Sequence, residues 1–325
     1  MDGHQPLLVS SPPTFLMSLR PRGAAAEVIA GLWWVMLAIG GVIFVVVAAL
    51  LLVGLFRRGD SDEAPEELAR EREGAGNRWI LVGGVGMPMI VLVVILWLTL
   101  VAMERVTPVA GAEAVAIEVV GHQWWWEVNY PDHGFSTANE IHIPVGIPVE
   151  VELRSDDVIH SFWVPALHGK LDALPDYPTT LVIQAEEVGR FKGACAEFCG
   201  LQHANMGLLV VATSLEEFEA WILGQQQPAS TPVGVGQQGL AVFLSSQCAE
   251  CHTIRGTGAE AGTGPDLTHL ADRQTIGAGT LANEPDQLAA WITDPHASKE
   301  GVKMPAAKFS EEQLEALVSY LATLR

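Results

Sequence analysis

Two long apolar runs dominate the first third of the chain. Val28 to Phe56 contains only apolar residues and glycine. A helix needs about 20 such residues to cross a bilayer, so the run predicts a membrane-spanning helix over 28–56. Trp33 and Trp34 lie near its first end, where aromatic belts form. Trp79 to Met103 is a second such run and predicts a helix over 79–103. Its Pro88 and several glycines are tolerated in membrane helices. Between them, 57–78 is a charged loop. Arg57, Arg58, Arg70, Arg72 and Arg78 lie on the loop side, against Arg20 and Arg22 before the first helix and Arg105 after the second. The positive-inside rule puts the loop in the cytoplasm and both termini outside. Residues 1–27 form an N-terminal outer segment. Its apolar stretch, Thr14 to Leu19, is too short for a signal peptide and precedes its arginines instead of following them, so no cleaved signal is expected.

The pattern then shortens. Ala114–Val120, Trp124–Val128, Glu140–Ile143, Val149–Leu153, Thr180–Ala185 and Gly207–Val211 are β-prone runs punctuated by Pro and Gly, the spacing of an all-β sandwich or barrel within 104–223. Ser214 with Glu217 three residues on predicts a capped helix to Leu223. Residues 224–238, rich in Gln, Pro, Ser, Thr and Gly, read as a flexible linker. Such a tether spans roughly 20 Å typically and roughly 50 Å fully extended. It would hold the last domain at high effective concentration near the one before it. That last domain, 239–325, is mainly helical. Leu240–Gln247 is a short helix, and Leu314, Leu317, Val318 and Leu321 lie on one face of a helix over Glu311–Leu324.

Composition adds the setting. Asp and Glu number 38 against 18 Lys and Arg, a net charge of −20, although 49% of residues are hydrophobic. The chain is thus divided between lipid-embedded and acidic, water-facing parts. The charge argues against nucleic acid and for a basic partner protein.

The candidate chemistry lies in two cysteine pairs. Cys195-Ala196-Glu197-Phe198-Cys199-Gly200-Leu201-Gln202-His203-Ala204-Asn205-Met206 gathers two thiols, an imidazole and a thioether, soft ligands suited to copper, zinc or iron–sulfur. A mononuclear electron-transfer copper site needs one Cys, two His and a weak axial Met. A second Cys at i+4 and an upstream His160 let two thiolates bridge two metals with one imidazole for each. Cys248-Ala249-Glu250-Cys251-His252 reads as a covalent attachment site for c-type haem. As a rule such haem is attached outside the cytoplasm, in agreement with the arginine count.

The first run, with Val158-Ile159-His160-Ser161-Phe162-Trp163-Val164-Pro165 and Gly121-His122-Gln123-Trp124, resembles the CuA motif of subunit II of haem-copper cytochrome c oxidases. The C-terminal part resembles class I cytochrome c. Gly239, Phe243 and Tyr320 fall at that family's interhelix contact, and Gly264-Pro265-Asp266-Leu267 falls at the segment bracing the haem-binding His. The order of domains resembles subunit II of a caa-type oxidase. The resemblance implies a multidomain membrane protein: a two-helix transmembrane hairpin, an all-β cupredoxin-like Greek-key barrel and an all-α cytochrome c domain. It implies that Cys195 and Cys199 bridge two coppers, that His160 and His203 take one each, and that Met206 and the Glu197 carbonyl are axial ligands. Glu197 would also share a Mg²⁺ with the catalytic subunit, since one carboxylate is far from a complete magnesium site. Cys248 and Cys251 would hold the haem and His252 its iron. Met304 would be the sixth ligand, a pairing that raises the potential, with His269 and His296 as solvent-exposed alternatives. Trp124 would be where electrons reach the copper.

The implied function is electron input to a terminal respiratory oxidase in a bacterial inner membrane, with both soluble domains on the periplasmic face. Electrons would come from a donor cytochrome c by way of the haem and the CuA centre and go on to subunit I, which reduces O₂ to water; subunit III is a further partner. A CuA-bearing subunit of a nitric oxide reductase is the alternative. A membrane-anchored copper store is disfavoured by the bound haem. His122, His133, His142 and His168 read as structural or solvent-facing. Trp124, Trp125 and Trp126 form an exposed-looking cluster. Asp156, Asp157, Asp172, Asp176, Glu186 and Glu187 offer either a docking face or a solvated one. Many members carry a Glu at the cytoplasmic start of the second helix. Here Glu73 is the nearest, and no proton-path residue is assigned.

Overall fold

In the computed structural model, residues 19–56, 75–106, 111 and 114–325 are described. Most of the expected outer segment, nearly all of the 57–78 loop and Glu73 lie outside them. The chain forms two units, 27–107 and the remainder. The first contains most of α1 (Ala24–Phe56) and all of α2 (Ala75–Val106), both long and apolar enough to cross a membrane. Both begin four residues earlier than the apolar runs suggested. Met87 N–H bonds to Val82 O, five residues back, in a π-turn over Val82–Gly86. Pro88 crowds the carbonyl four residues before it, and the widened turn lies where that crowding falls.

In the second unit, ten strands form two five-stranded sheets. They are β1 (Val115–His122), β2 (Trp125–Tyr130), β3 (Phe135–Ala138), β4 (Glu140–Pro144), β5 (Val149–Ser155), β6 (His160–Trp163), β7 (Leu171–Ala173), β8 (Thr179–Ile183), β9 (Gly189–Cys195) and β10 (Gly207–Thr213). The orders are β3-β2-β1-β5-β8 and β4-β10-β9-β6-β7. The pairs β1–β5 and β4–β10 are parallel and the others antiparallel. Alternate residues of facing strands, among them Val119, Trp126, Val151 and Phe162, form the core between the sheets. The result is the expected cupredoxin-like sandwich. α3 (Leu215–Gln225) follows with the expected box: Glu217 N–H bonds to the Ser214 side chain and the Glu217 carboxylate accepts from Ser214 N.

The cytochrome-like domain contains α4 (Val235–Ser245), α5 (Pro285–Thr293), α6 (Pro295–Ser298) and α7 (Glu311–Leu321), with two short hairpins. α4 crosses α7 at Gly239. A Cβ there would lie 2.1 Å from Ala316 O and 2.5 Å from Tyr320 Cβ, so only glycine lets the helices meet. The segment 224–238 is not a free tether. Its ends are helical, and the cytochrome-like domain holds it in between. Arg255 donates to Gln225 O, Ala229 N to Arg255 O and His269 Nε2 to Gln227 O. His269, expected in solvent, is buried by that contact, whereas His296 is exposed.

Candidate functional site

The copper-type ligands converge at one end of the sandwich. β6 opens with His160, β9 closes with Cys195, and the loop between β9 and β10 returns Cys199, His203 and Met206 to the same point. Cys195 Sγ lies 3.8 Å from Cys199 Sγ and 3.9 Å from His160 Nδ1. Cys199 Sγ lies 3.7 Å from His203 Nδ1 and 3.8 Å from Met206 Sδ. Glu197 O is 3.2 Å from Cys195 Sγ. The ligand atoms of His160, Cys195 and Cys199 all lie within 4.8 Å of one another. Both thiols are free and buried. Each imidazole thus turns its Nδ1 toward a thiol, and the thioether and a carbonyl stand on either side. The donor set fits a pair of soft metal ions of the copper kind.

The electrostatics favour a thiolate at Cys195 and a thiol at Cys199. The Cys199 S–H, then His160 and backbone N–H groups, outweigh burial and hold Cys195 far below the usual thiol range; the resulting thiolate pushes Cys199 up. Burial disfavours charge on His160, but Cys195 and Asp157 outweigh it and raise its affinity for a proton. Asp157 Oδ1 lies 2.8 Å from His160 Nε2. Its carboxylate also accepts from Gln123 N and Val158 N. These bonds outweigh burial and keep Asp157 ionised to lower pH. Asp157 is thus placed as an outer partner that would orient a ligating imidazole, and its carboxylate is engaged within the molecule and not turned to a docking face. Gly121 passes beneath the same ring, where a Cβ would lie 2.7 Å from His160 Cδ2.

The tryptophan cluster is not exposed. Trp126 is fully buried between the sheets, edge-on to His160 and Phe162. Trp125 stacks on His122 at 4.5 Å. Trp124 is 9% exposed, and its Nε1 donates to Cys199 O at 3.0 Å; Gln123 Nε2 donates to the same oxygen at 2.7 Å.

A cavity of about 480 Å³ lies against that ring, lined by Cys248, Cys251, His252, Met304 and Trp124. Its size suits a haem-sized group. His252 Nδ1 donates to Pro265 O at 2.8 Å, which leaves Nε2 as the ligating nitrogen. Burial keeps that ring neutral, as ligation requires. Arg273 also lines the cavity, and its buried Nε has no partner among the described residues, a donor suited to a carboxylate of the bound group. Cys248, Cys251, His252 and Met304 are thus all on one cavity, as a c-type haem needs.

Sequence reasoning missed the roles of Asp157, Gln123 and Lys299. Asp157 precedes His160 by three residues, a spacing that hints at an outer-shell partner. Nothing local marks Lys299, which is buried between the two soluble domains.

Comparison with known proteins agrees with this geometry. Residues 134–213 match the family described as cytochrome C oxidase subunit II, periplasmic domain, and residues 236–325 match cytochrome c. A cytochrome c oxidase subunit 2 of Alkalihalophilus pseudofirmus is 36% identical over 320 residues, covering 95% of this chain and 91% of that protein. Those of Bacillus sp. PS3 and Bacillus subtilis are each 31% identical, covering 83% and 77% of this chain and 79% and 76% of theirs. With two thiols and two imidazoles at the end of a cupredoxin-like sandwich and a CxxCH cavity beside them, the chain belongs to the cytochrome c oxidase subunit 2 family and carries a C-terminal cytochrome c domain.

Proposed function

We propose that the chain is the electron-input subunit of a terminal respiratory oxidase. In this reading the two helices anchor it in a bacterial inner membrane with both soluble domains on the periplasmic face. The C-terminal domain takes electrons from a donor cytochrome c, and the copper domain passes them to subunit I, where O₂ is reduced and protons are moved. Subunit III completes the set of expected partners. The observation that carries this reading is the common wall of the two sites: Trp124 lines the haem-sized cavity and its indole N–H bonds to the carbonyl of Cys199.

When bound, a haem c and a binuclear CuA centre supply one-electron carriers that stay covalently or tightly attached. The residues around them do the rest. Cys195 and Cys199, as thiolates, would hold the two coppers together with His160 and His203, and Met206 and Glu197 O would be weaker donors to them. Cys248 and Cys251 would hold the porphyrin, and His252 and Met304 would be the ligands of its iron. Asp157 and Pro265 O fix the two imidazoles from behind. A sandwich that holds its ligands on strand ends and on the loop between β9 and β10 would change shape little between oxidation states, which would keep reorganisation small. Trp124 is the proposed point where electrons reach the copper pair. The Glu197 carboxylate is proposed as one ligand of a Mg²⁺ shared with subunit I.

The test is to purify the complex containing this chain and measure its copper-to-haem ratio and electron paramagnetic resonance. Two coppers per haem c in this subunit, sharing one unpaired electron, with oxidation of reduced cytochrome c, is the expected result. A mononuclear copper signal, or a complex unable to oxidise cytochrome c, overturns the reading.

A further inference from the structure

Lys299 follows α6 and is 1% exposed, among the largest fully buried side chains of the described residues. Its Nζ donates to Trp124 O at 2.7 Å, Asn205 O at 2.7 Å and Gly277 O at 2.8 Å. An ammonium has three N–H groups and accepts nothing. All three find a carbonyl, which is the condition under which a charge is tolerated inside a protein. Burial pushes Lys299 down to about 7. The carbonyls act the other way, because a neutral amine has only two N–H to offer three acceptors.

The origin of the acceptors matters more than their number. Trp124 and Asn205 belong to the copper domain, whereas Gly277 and Lys299 belong to the haem-binding domain. Trp124 is the wall between the two sites, Asn205 immediately precedes Met206, and Lys299 lies in the loop that leads to Met304. One nitrogen therefore ties the wall residue to the loops that present Met206 and Met304. A lysine that merely filled a hole in its own domain would find its acceptors there.

The surrounding contacts are directional too. Gly207 N donates to Ala278 O at 2.9 Å, and Gln202 Nε2 to Glu300 O at 2.8 Å. The buried Glu140 carboxylate accepts from Gln274 N at 2.7 Å and Thr275 N at 3.2 Å. Lys299 thus draws two of its three acceptors, and Glu140 both of these donors, from backbone of the other domain. The Lys303–Asp157 pair at 3.3 Å has an exposed lysine, and exposed pairs contribute little.

We propose that Lys299 is a positioning residue that locks the haem-binding domain onto the copper domain in one orientation, so that electrons pass between them from a fixed geometry and not by a swinging tether. This rests on the reading above that both centres are loaded.

The first test uses the intact, unaltered oxidase. Native amine acetylation followed by mass spectrometry should label Lys303 and Lys308 readily and Lys299 about 100-fold more slowly, the protection of a site reached only by opening. The second compares Lys299→Met with the unaltered complex by flash-initiated transfer between the two centres. The transfer should slow about tenfold or more and become dependent on solvent viscosity, with the copper and haem spectra of loaded molecules unchanged. A purely structural role would lower haem content and leave the rate per loaded molecule as it was. Labelling of Lys299 as fast as Lys303, or an unchanged transfer rate, overturns the proposal. If Lys299→Met does not assemble, labelling of the unaltered complex still decides. Failure of the underlying reading is separate: it would appear as missing copper or haem in the unaltered protein.

Discussion

Asp157 holds His160 from the side away from the thiols, so its loss should loosen the metal without touching a ligand. Removing such an outer partner lowers metal affinity about 10–100-fold in other sites. Asp157→Ala should do the same, read by chelator competition, with haem content unaltered. His142 makes a different prediction. Its ring stacks on Trp221 at 4.1 Å, and its backbone N–H and carbonyl both bond to the Tyr130 hydroxyl. Burial, helped by Arg190, pushes it down to about 4. The unfolded chain therefore binds a proton at His142 between its ordinary value near 6.5 and about 4, where the folded chain does not. Its contribution is complete above the ordinary value and is lost as pH falls toward 4, by about 3 kcal/mol. His142→Phe, which keeps the stack, should lack this part of the slope when the thermal unfolding of both proteins is followed from pH 7 to 4.5. The candidate ligands that converge here were legible in the sequence because thiols, imidazoles and thioethers at close spacing are costly to explain otherwise. Asp157 and Lys299 were not, since an isolated charge reads as surface until its burial is known.

At the scale of elements, the α4–α7 crossing is the most exacting contact in the haem-binding domain. Gly239 lies against backbone, Ala316 O, and not against a side chain that could swing away. Gly239→Ala should therefore destabilise the domain by about 3 kcal/mol. Its thermal transition should fall, and so should the yield of covalently bound haem by absorbance. The Ser214 capping box could be read from sequence because a short local pattern encodes it, whereas Gly239 and the Pro265 brace were legible only through the resemblance to class I cytochrome c. Strands β6 and β9 could not be read from sequence. β6 has only four residues and opens with a buried histidine. β9 interleaves Phe191 with Arg190 and Lys192 and contains two glycines, so its apolar alternation is faint. The 224–238 segment misled for the opposite reason. Its composition is that of a free tether, yet backbone groups, which composition does not record, attach it to Arg255 and His269.

Across the whole molecule, two kinds of electrostatics act at different ranges. Lys299 and Glu140 are buried and each is hydrogen-bonded to backbone groups, so salt screens them little. The surface carries most of a net charge of −20, and its field acts over the Debye length, about 30 Å at 0.01 M salt and about 8 Å at 0.15 M. The resemblance to oxidase subunits named the two domains and their order; the contacts between them depend on side chains far apart in sequence, such as Lys299 with Trp124. The two ranges separate in one experiment. For a basic donor cytochrome c, steering by an acidic surface should make the second-order rate fall about tenfold or more between those salt concentrations. Transfer from the haem-binding domain to the copper domain, measured by flash initiation in the same samples, should change less than about twofold, because its partners are already docked through buried contacts. If both rates fell together, the domains would be meeting through their surface charge, and the tether would be setting the pace.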